Sequence, residues 1–320
     1  MTGTPVIDVN AYLGEWPFRA VRRLRPLRER TPTALRRLLE GAGITRALVS
    51  PLAAIFRQEC ESANAELARA VRRLRALRGY GEFFVPAPAL NPAYPGWEDD
   101  VQAALTAGAP GVRLWPNYHA YSLADTAARV AVAQAAAAGL AILISLRMQD
   151  ERHHHPRMMV PAVPADEVAA LARAVPQARI IACMARYGEA ESLLAASGDV
   201  IPQAADRPSP SQRVILSKAK DLGAAQGKLR EGSGVGEGNV WLDLSGVQGP
   251  VGCIDLLAER FGAGRLLLGT GAPLQYPLPA VAKVLASEIA SDDRDRVLGL
   301  NAASLLTPAG AANTDSPGAN

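Results

Sequence analysis

The sequence predicts an α/β fold, a barrel of eight parallel strands with a helix after each. Three observations carry this. Eight short apolar or β-branched segments recur along the 320 residues. The stretches between them are rich in Ala, Leu and Arg, with apolar residues at helical spacing. No phosphate-loop glycine signature marks the alternative, an open doubly wound sheet.

The expected strands are Val6–Val9, Ala47–Ser50, Phe83–Pro86, Gly111–Leu114, Ala141–Ser145, Arg179–Cys183, Val240–Leu244 and Leu266–Gly269. Alternating strand and helix requires parallel pairing, and eight repeats close a (β/α)8 TIM barrel. Leu35, Leu38, Leu39 and Ala42 make an i, i+3, i+4, i+7 stripe, with Thr31 as cap and Pro32 at the first helical position. Ala63, Leu67, Val71 and Leu74 make a second stripe. The Asp125–Ala138 run is nearly all Ala and Val and predicts a helix packed close on the sheet. Asp292–Leu306 predicts closing helices with Val297, Leu298, Ala302 and Leu305 inward.

The chain is 49% hydrophobic with a formal net charge of +3, enough apolar residues for a large core and too little charge to suggest a nucleic-acid partner. No apolar run reaches bilayer-spanning length, so no membrane partner is expected. The opening MTGTPVIDVN has no signal-peptide pattern. Cys60, Cys183 and Cys253 are scattered, which reads as reduced thiols in a cytoplasmic protein. One barrel domain over residues 1–306 and a polar tail over 307–320 are expected, and a homo-oligomer is compatible with both.

Asp206–Gly238 breaks the rhythm. It carries PSPS, GAAQG and GSGVGEG, and three of the four lysines, Lys218, Lys220 and Lys228. It is too long for an ordinary connection and reads as a flexible insertion between the sixth helix and the seventh strand, in preference to a functional lid. RVILSKAKDL resembles the peptide encoded when a bacterial interspersed repeat is read in frame.

In such barrels the chemistry sits where strands end and loops begin. The first strand runs into Asp8, Asn10, Tyr12 and then Glu15, Trp16, Pro17, Phe18 and Arg19. The fourth runs into Arg113, Trp115, Asn117, Tyr118, His119 and Tyr121. The fifth runs into Ser145, Arg147, Gln149, Asp150, Glu151, Arg152 and His153, His154 and His155. The eighth ends Gly269-Thr270-Gly271-Ala272-Pro273.

IDVNAYLG, GVRLWPNY, WLDLSG, LLLGTGAP and RVLGLNAASLL, in that order, resemble the amidohydrolase superfamily, specifically the amidohydrolase-related (amidohydrolase 2) group. The resemblance spans the chain except Asp206–Gly238 and the tail. It implies a divalent-metal site whose ligand positions fall here on Asn10, Tyr12, Ser145, Cys183 and Gly271. Asn and Tyr are poor zinc ligands and Gly offers no side chain, so the expectation is a barrel with no cofactor, lacking the family's metal-activated hydroxide.

Each candidate has a plain structural reading beside the functional one. Asp8 is a general base or a hydrogen-bonded strand-end aspartate. Arg113 and Arg147 clamp a substrate carboxylate, or pair internally with Asp8, Asp150 or Glu151. His119 and Asp150 transfer protons, with His119 the acid, or the histidine is a rim hydrogen-bonding residue; His119 with His153 or His155 and Asp150 could also make a relocated metal site. Cys183 reads as an inert buried thiol. Trp16, Phe18, Trp115, Tyr118 and Tyr121 read as an aromatic wall for an apolar or aromatic ligand. The expected substrate-binding set is Asn10, Tyr12, Trp16, Arg113, Asn117, Tyr118, Arg147 and Gln149, and the expected catalytic set is Asp8, His119 and Asp150.

Two functions remain open on the sequence. One is a hydrolase or carbon–carbon lyase of a small carboxylate or aromatic substrate. The other is a catalytically silent barrel that binds a ligand or partner.

Overall fold

A computed structural model describes residues 3–16, 31–77, 81–150, 159–196 and 238–307. Eight parallel strands appear in order: β1 (Ile7–Leu13), β2 (Arg46–Pro51), β3 (Phe84–Pro86), β4 (Gly111–Leu114), β5 (Ala141–Ser145), β6 (Ile180–Cys183), β7 (Val240–Asp243) and β8 (Leu266–Leu267). The helices between them are α1 (Pro32–Glu40), α2 (Glu61–Arg75), α3 (Trp97–Thr106), α4 (Thr126–Ala137), α5 (Ala165–Ala174), α6 (Tyr187–Ala196), α7 (Cys253–Phe261) and α8 (Pro277–Leu285). A π-helical turn at Arg296–Leu300 joins the short α9 (Ser291–Asp295) to α10 (Asn301–Leu305).

The local signals act as their chemistry dictates. Thr31 caps α1, its hydroxyl accepting the Ala34 N–H at 3.2 Å, and Pro32 opens the helix. Leu35, Leu39 and Ala42 are buried and Leu38 half-buried, while the whole α2 stripe Ala63, Leu67, Val71 and Leu74 is buried. Val297, Leu298, Ala302 and Leu305 all face inward.

The strands form two arcs, β1–β3 and β4–β8. Single bridges close the ring, Ala89 to Arg113 on one side and Ala11 to Ala272 on the other. Backbone bonds support both seams: Arg113 N–H to Pro88 O at 2.7 Å and Gly271 N–H to Asn10 O at 2.7 Å. The result is the (β/α)8 barrel.

The interior is layered. Val9, Leu48, Val85, Leu143, Ile181 and Leu267 pack together as an apolar layer, closed from below by Ala302 and Leu305. The layer above is polar, and a bulge builds it. The β1–β2 register slips between Asp8 and Ala11. Both Val9 and Asn10 then reach the interior, where strict alternation would bury only one of them. Tyr12 follows Asn10 inward, while Ala11 packs outward in the main core.

Candidate functional site

Arg113 organises the polar layer. Its side chain is fully buried. From β4 it crosses the barrel, Nε donating to Ser50 Oγ at 2.8 Å and Nη1 to Asn10 Oδ1 at 3.0 Å and Ser145 Oγ at 3.0 Å. Nη1 also reaches Tyr12 OH at 3.3 Å, Nη2 reaches Val9 O at 3.3 Å, and the guanidinium lies 5.0 Å from the Tyr12 ring centre. A guanidinium has five N–H donors, and these partners use the fork from every side.

Asp243, at the end of β7, closes the layer. It accepts Asn10 Nδ2 at 2.7 Å, Ser245 Oγ at 2.5 Å, Ser245 N–H at 2.8 Å and Met184 N–H at 3.2 Å. Asn10 thus bridges cation and anion, one end on each. Gly269 makes room for this carboxylate, since a Cβ there would land on Asp243 Oδ1. Asp8 accepts Asn10 N–H at 2.9 Å, Thr270 N–H at 3.0 Å and Thr270 Oγ1 at 2.6 Å. Burial raises both carboxyls, Asp8 to about 6. Burial also pushes the Tyr12 hydroxyl and the Cys183 thiol up to about 12, so neither is ionised at neutral pH.

Above this layer Tyr12, Trp16, Leu52, Trp115, Met148 and Leu274 pack as a second apolar cluster. Trp16 stands edge-on to Phe56 at 5.3 Å and to Tyr118 at 6.4 Å. Trp115 Nε1 meets Met148 Sδ at 3.1 Å. His119 is 2% exposed, 6.2 Å from the Trp115 ring, with Nε2 on Ala54 O at 2.9 Å. Its Nδ1 is buried without a partner, as are Asn117 Oδ1, Gln149 Oε1 and the Tyr121 hydroxyl oxygen. Asn117 is held by its other end, Nδ2 on Leu146 O at 3.2 Å and on Pro161 O at 3.0 Å. Burial lowers the His119 pKa from 6.5, which keeps the ring neutral at pH 7.

Several expectations change here. Arg113 is no carboxylate clamp, because its donors are spent inside the barrel. Arg147 is no clamp either: it forks onto Glu189, with Nη1 to Glu189 Oε2 at 2.7 Å and Nη2 to Glu189 Oε1, and Nη1 also holds Met184 O at 2.7 Å. Arg147 thus has Glu189 as an ion-pair partner, a residue the sequence did not single out. Asp8 is a strand-end aspartate that ties β1 to the turn after β8, not a free base. His119 and Asp150 do not form a relay, since neither ring nitrogen bonds Asp150, and the neutral ring acts as acceptor rather than acid. Asp150 itself is half-buried in the loop after β5. Cys183 fits the inert-thiol reading. Gly271, at φ +69°, turns the chain after β8. Pro17, Phe18, Arg19, Glu151, Arg152, His153, His154 and His155 lie outside the described residues.

Asp243, Glu189, Ser50 and Ser245 were not expected at this site. Asp243 had a signal, since it sits in WLDLSG at a strand end. Glu189 had none, being one helical glutamate among many.

No family model matches the chain, and no curated protein matches it. Solved structures do. A 2,6-dihydroxybenzoate decarboxylase from Rhizobium aligns at 18% identity and TM-score 0.60, over 96% of this chain and 99% of that one. A dihydroxybenzoic acid decarboxylase from Polaromonas sp. JS666, with bound manganese and the inhibitor 2-nitroresorcinol, aligns at 16% and 0.62, over 95% and 97%. A 5-carboxyvanillate decarboxylase from Novosphingobium aromaticivorans, with manganese and 4-hydroxy-3-methoxy-5-nitrobenzoic acid, aligns at 15% and 0.59, over 95% and 96%. These structural neighbours are amidohydrolase-2 superfamily members, the group that the strand-end motifs resemble. At such identities the likeness establishes the fold, the (β/α)8 barrel.

The neighbours correct the expectation of no cofactor, because two of these three were crystallised with manganese. In this chain the strand-end positions do not fit a divalent cation. Asn10, Tyr12 and Ser145 point their oxygens at a guanidinium, and among the described residues no three His, Cys, Asp or Glu side chains converge.

Proposed function

We propose that this chain binds a small hydroxylated aromatic molecule at the barrel mouth and acts on it as a carbon–carbon lyase. The observation that carries this is the neutral His119 ring, buried edge-on to Trp115 with the Nδ1 lone pair unpaired. An unpaired buried acceptor costs roughly 1–3 kcal/mol, which a ligand hydroxyl recovers by donating to it. Asn117 Oδ1 and Gln149 Oε1, in the loops after β4 and β5, are also unpaired acceptors, which favours a ligand that donates hydrogen bonds. Trp16 and Trp115 supply apolar faces for a ring. The neighbours act on aromatic carboxylates as decarboxylases, which favours a lyase over a hydrolase.

The silent-barrel reading has its own support. Asp8, Asp243 and Arg113 are each held by neutral barrel groups, Thr270 on Asp8, Ser245 on Asp243 and Ser50 on Arg113, so these buried charged groups already have partners inside the barrel.

One experiment separates the two. Calorimetry measures binding of 2,6-dihydroxybenzoate to the parent and to His119→Phe, and released CO2 is followed with and without added manganese. The lyase reading expects binding, turnover in at least one condition, and about tenfold weaker binding in the variant, equivalent to about 1.4 kcal/mol. Binding without turnover in either condition favours the silent barrel. No binding, or equal binding by parent and variant, overturns the assignment of the mouth.

A further inference from the structure

A second cavity of about 750 Å³ opens beside the polar layer, between the loop after β7 and helices α7 and α8. This volume is ordinary for a small-molecule site. Lys283, from α8, lines it and reaches back toward the barrel. Its Nζ donates to Leu244 O at 2.8 Å and to Val247 O at 2.5 Å. An ammonium has three N–H donors, and no described residue takes the third. Among the described residues no carboxylate pairs with Lys283, although it is half-buried. A cation drawn out of water without a counterion is costly, and a bound anion relieves that cost.

The rest of the lining restricts the anion. Val247, Ile254, Pro279 and Ala280 are apolar. Asp255, half-buried, and Glu259 and Glu288, exposed, also line it and repel multiply charged ligands. Residues of the loops after β7 and β8 also line the cavity. We infer that this cavity is a binding site for a small organic monocarboxylate, its carboxylate on Lys283 Nζ and its apolar body against Val247, Ile254 and Pro279. Ser245 lines the same cavity and bonds Asp243, so an occupant would lie one residue from the polar layer. The inference is independent of the function proposed for the mouth.

Hexanoate is the probe, with hexanol and inorganic phosphate as controls. Binding is followed through the amide signals of Gly249 and Gly252 in the cavity loop, and separately through the Trp115 indole at the mouth. The expected result is saturable hexanoate shifts at the two glycines and none at the indole, with at least tenfold weaker binding of hexanol and phosphate. Lys283→Met should abolish the shifts and Lys283→Arg should retain them. If Lys283→Met does not fold, the Arg variant and the two control ligands still decide. No glycine shifts, equal response to hexanol, shifts centred on the indole, or unaltered binding by folded Lys283→Met would each overturn the inference. Burial also lowers the Lys283 pKa, so binding should fade at a lower alkaline pH than for an ordinary lysine.

Discussion

The Asp8 carboxyl is buried and accepts three hydrogen bonds. Burial still outweighs the donors and raises its pKa from 3.8 to about 6, helped by the nearby charge of Asp243. The folded chain therefore holds this proton more tightly than the unfolded chain. Its contribution to stability is complete below about pH 4 and is lost as pH rises through about 6. The full contribution is roughly 3 kcal/mol, of which about 1 kcal/mol should disappear between pH 5 and pH 7. Urea denaturation of the parent and of Asp8→Asn at those two pH values tests this. The variant should show a flatter pH dependence by about that amount, and an unchanged slope would refute the assignment. Asp100 is also raised to about 6 by burial, and it stays in both proteins, so its own titration cancels in the comparison. At this scale the sequence is a good guide to position and a poor one to role. Asn10, Tyr12 and Arg113 are legible as strand-end residues. That Arg113 would turn inward and spend its charge on the barrel depends on Ser50, Ser145 and Asn10, which come from three other strands.

The elements themselves follow closely from local pattern, because each apolar run is short and each helix carries its own stripe and cap. The ends are less legible. The last strand is expected through Gly269 but its ladder to β7 stops at Leu267, two residues before Gly269 passes the Asp243 carboxylate. The bulge in β1 leaves no mark in composition, and it decides which residues line the polar layer. Gly269→Ala should therefore destabilise the fold by more than about 2 kcal/mol, through overpacking against a buried hydrogen-bonded carboxylate. A urea midpoint within error of the parent would show that β7 and β8 can separate at no cost. The predicted insertion makes a different test. Residues 206–237 lie outside the described residues, but Gly238 does not, and its carbonyl accepts a hydrogen bond from Arg265. Replacing 206–237 with a short Gly/Ser turn while keeping Gly238 should change Tm by less than about 8 °C, since loop closure varies only logarithmically with length. A larger drop would mean that the segment contributes to the core.

Across the whole molecule, the barrel is two arcs joined by two seams, and Arg113 spans them together with the Asn10–Asp243 and Asp8–Thr270 pairs. It sits on β4, at the edge of the five-strand arc, and bonds β1 and β2 of the other arc as well as β5 of its own. The backbone contributes only a few hydrogen bonds at each seam, and a buried cation shared among four strands adds to what makes the ring behave as one unit. Removing it leaves Asn10 Oδ1, Ser50 Oγ and Ser145 Oγ without their donor and Asp243 without the positive charge beyond Asn10. Truncating one member of a buried charged network costs about 3–5 kcal/mol. Arg113→Met should therefore lower stability by that order while keeping the side chain's apolar length. It should also weaken cooperativity, with a smaller dependence of unfolding free energy on urea and non-coincident transitions by circular dichroism and tryptophan fluorescence. Arg113→Lys keeps the charge but cannot present a planar fork to three strands at once, so it should recover only part of the loss. Equal stability of the parent and both variants, with coincident transitions throughout, would place the unity of the barrel in its helices and apolar layer instead of its polar centre.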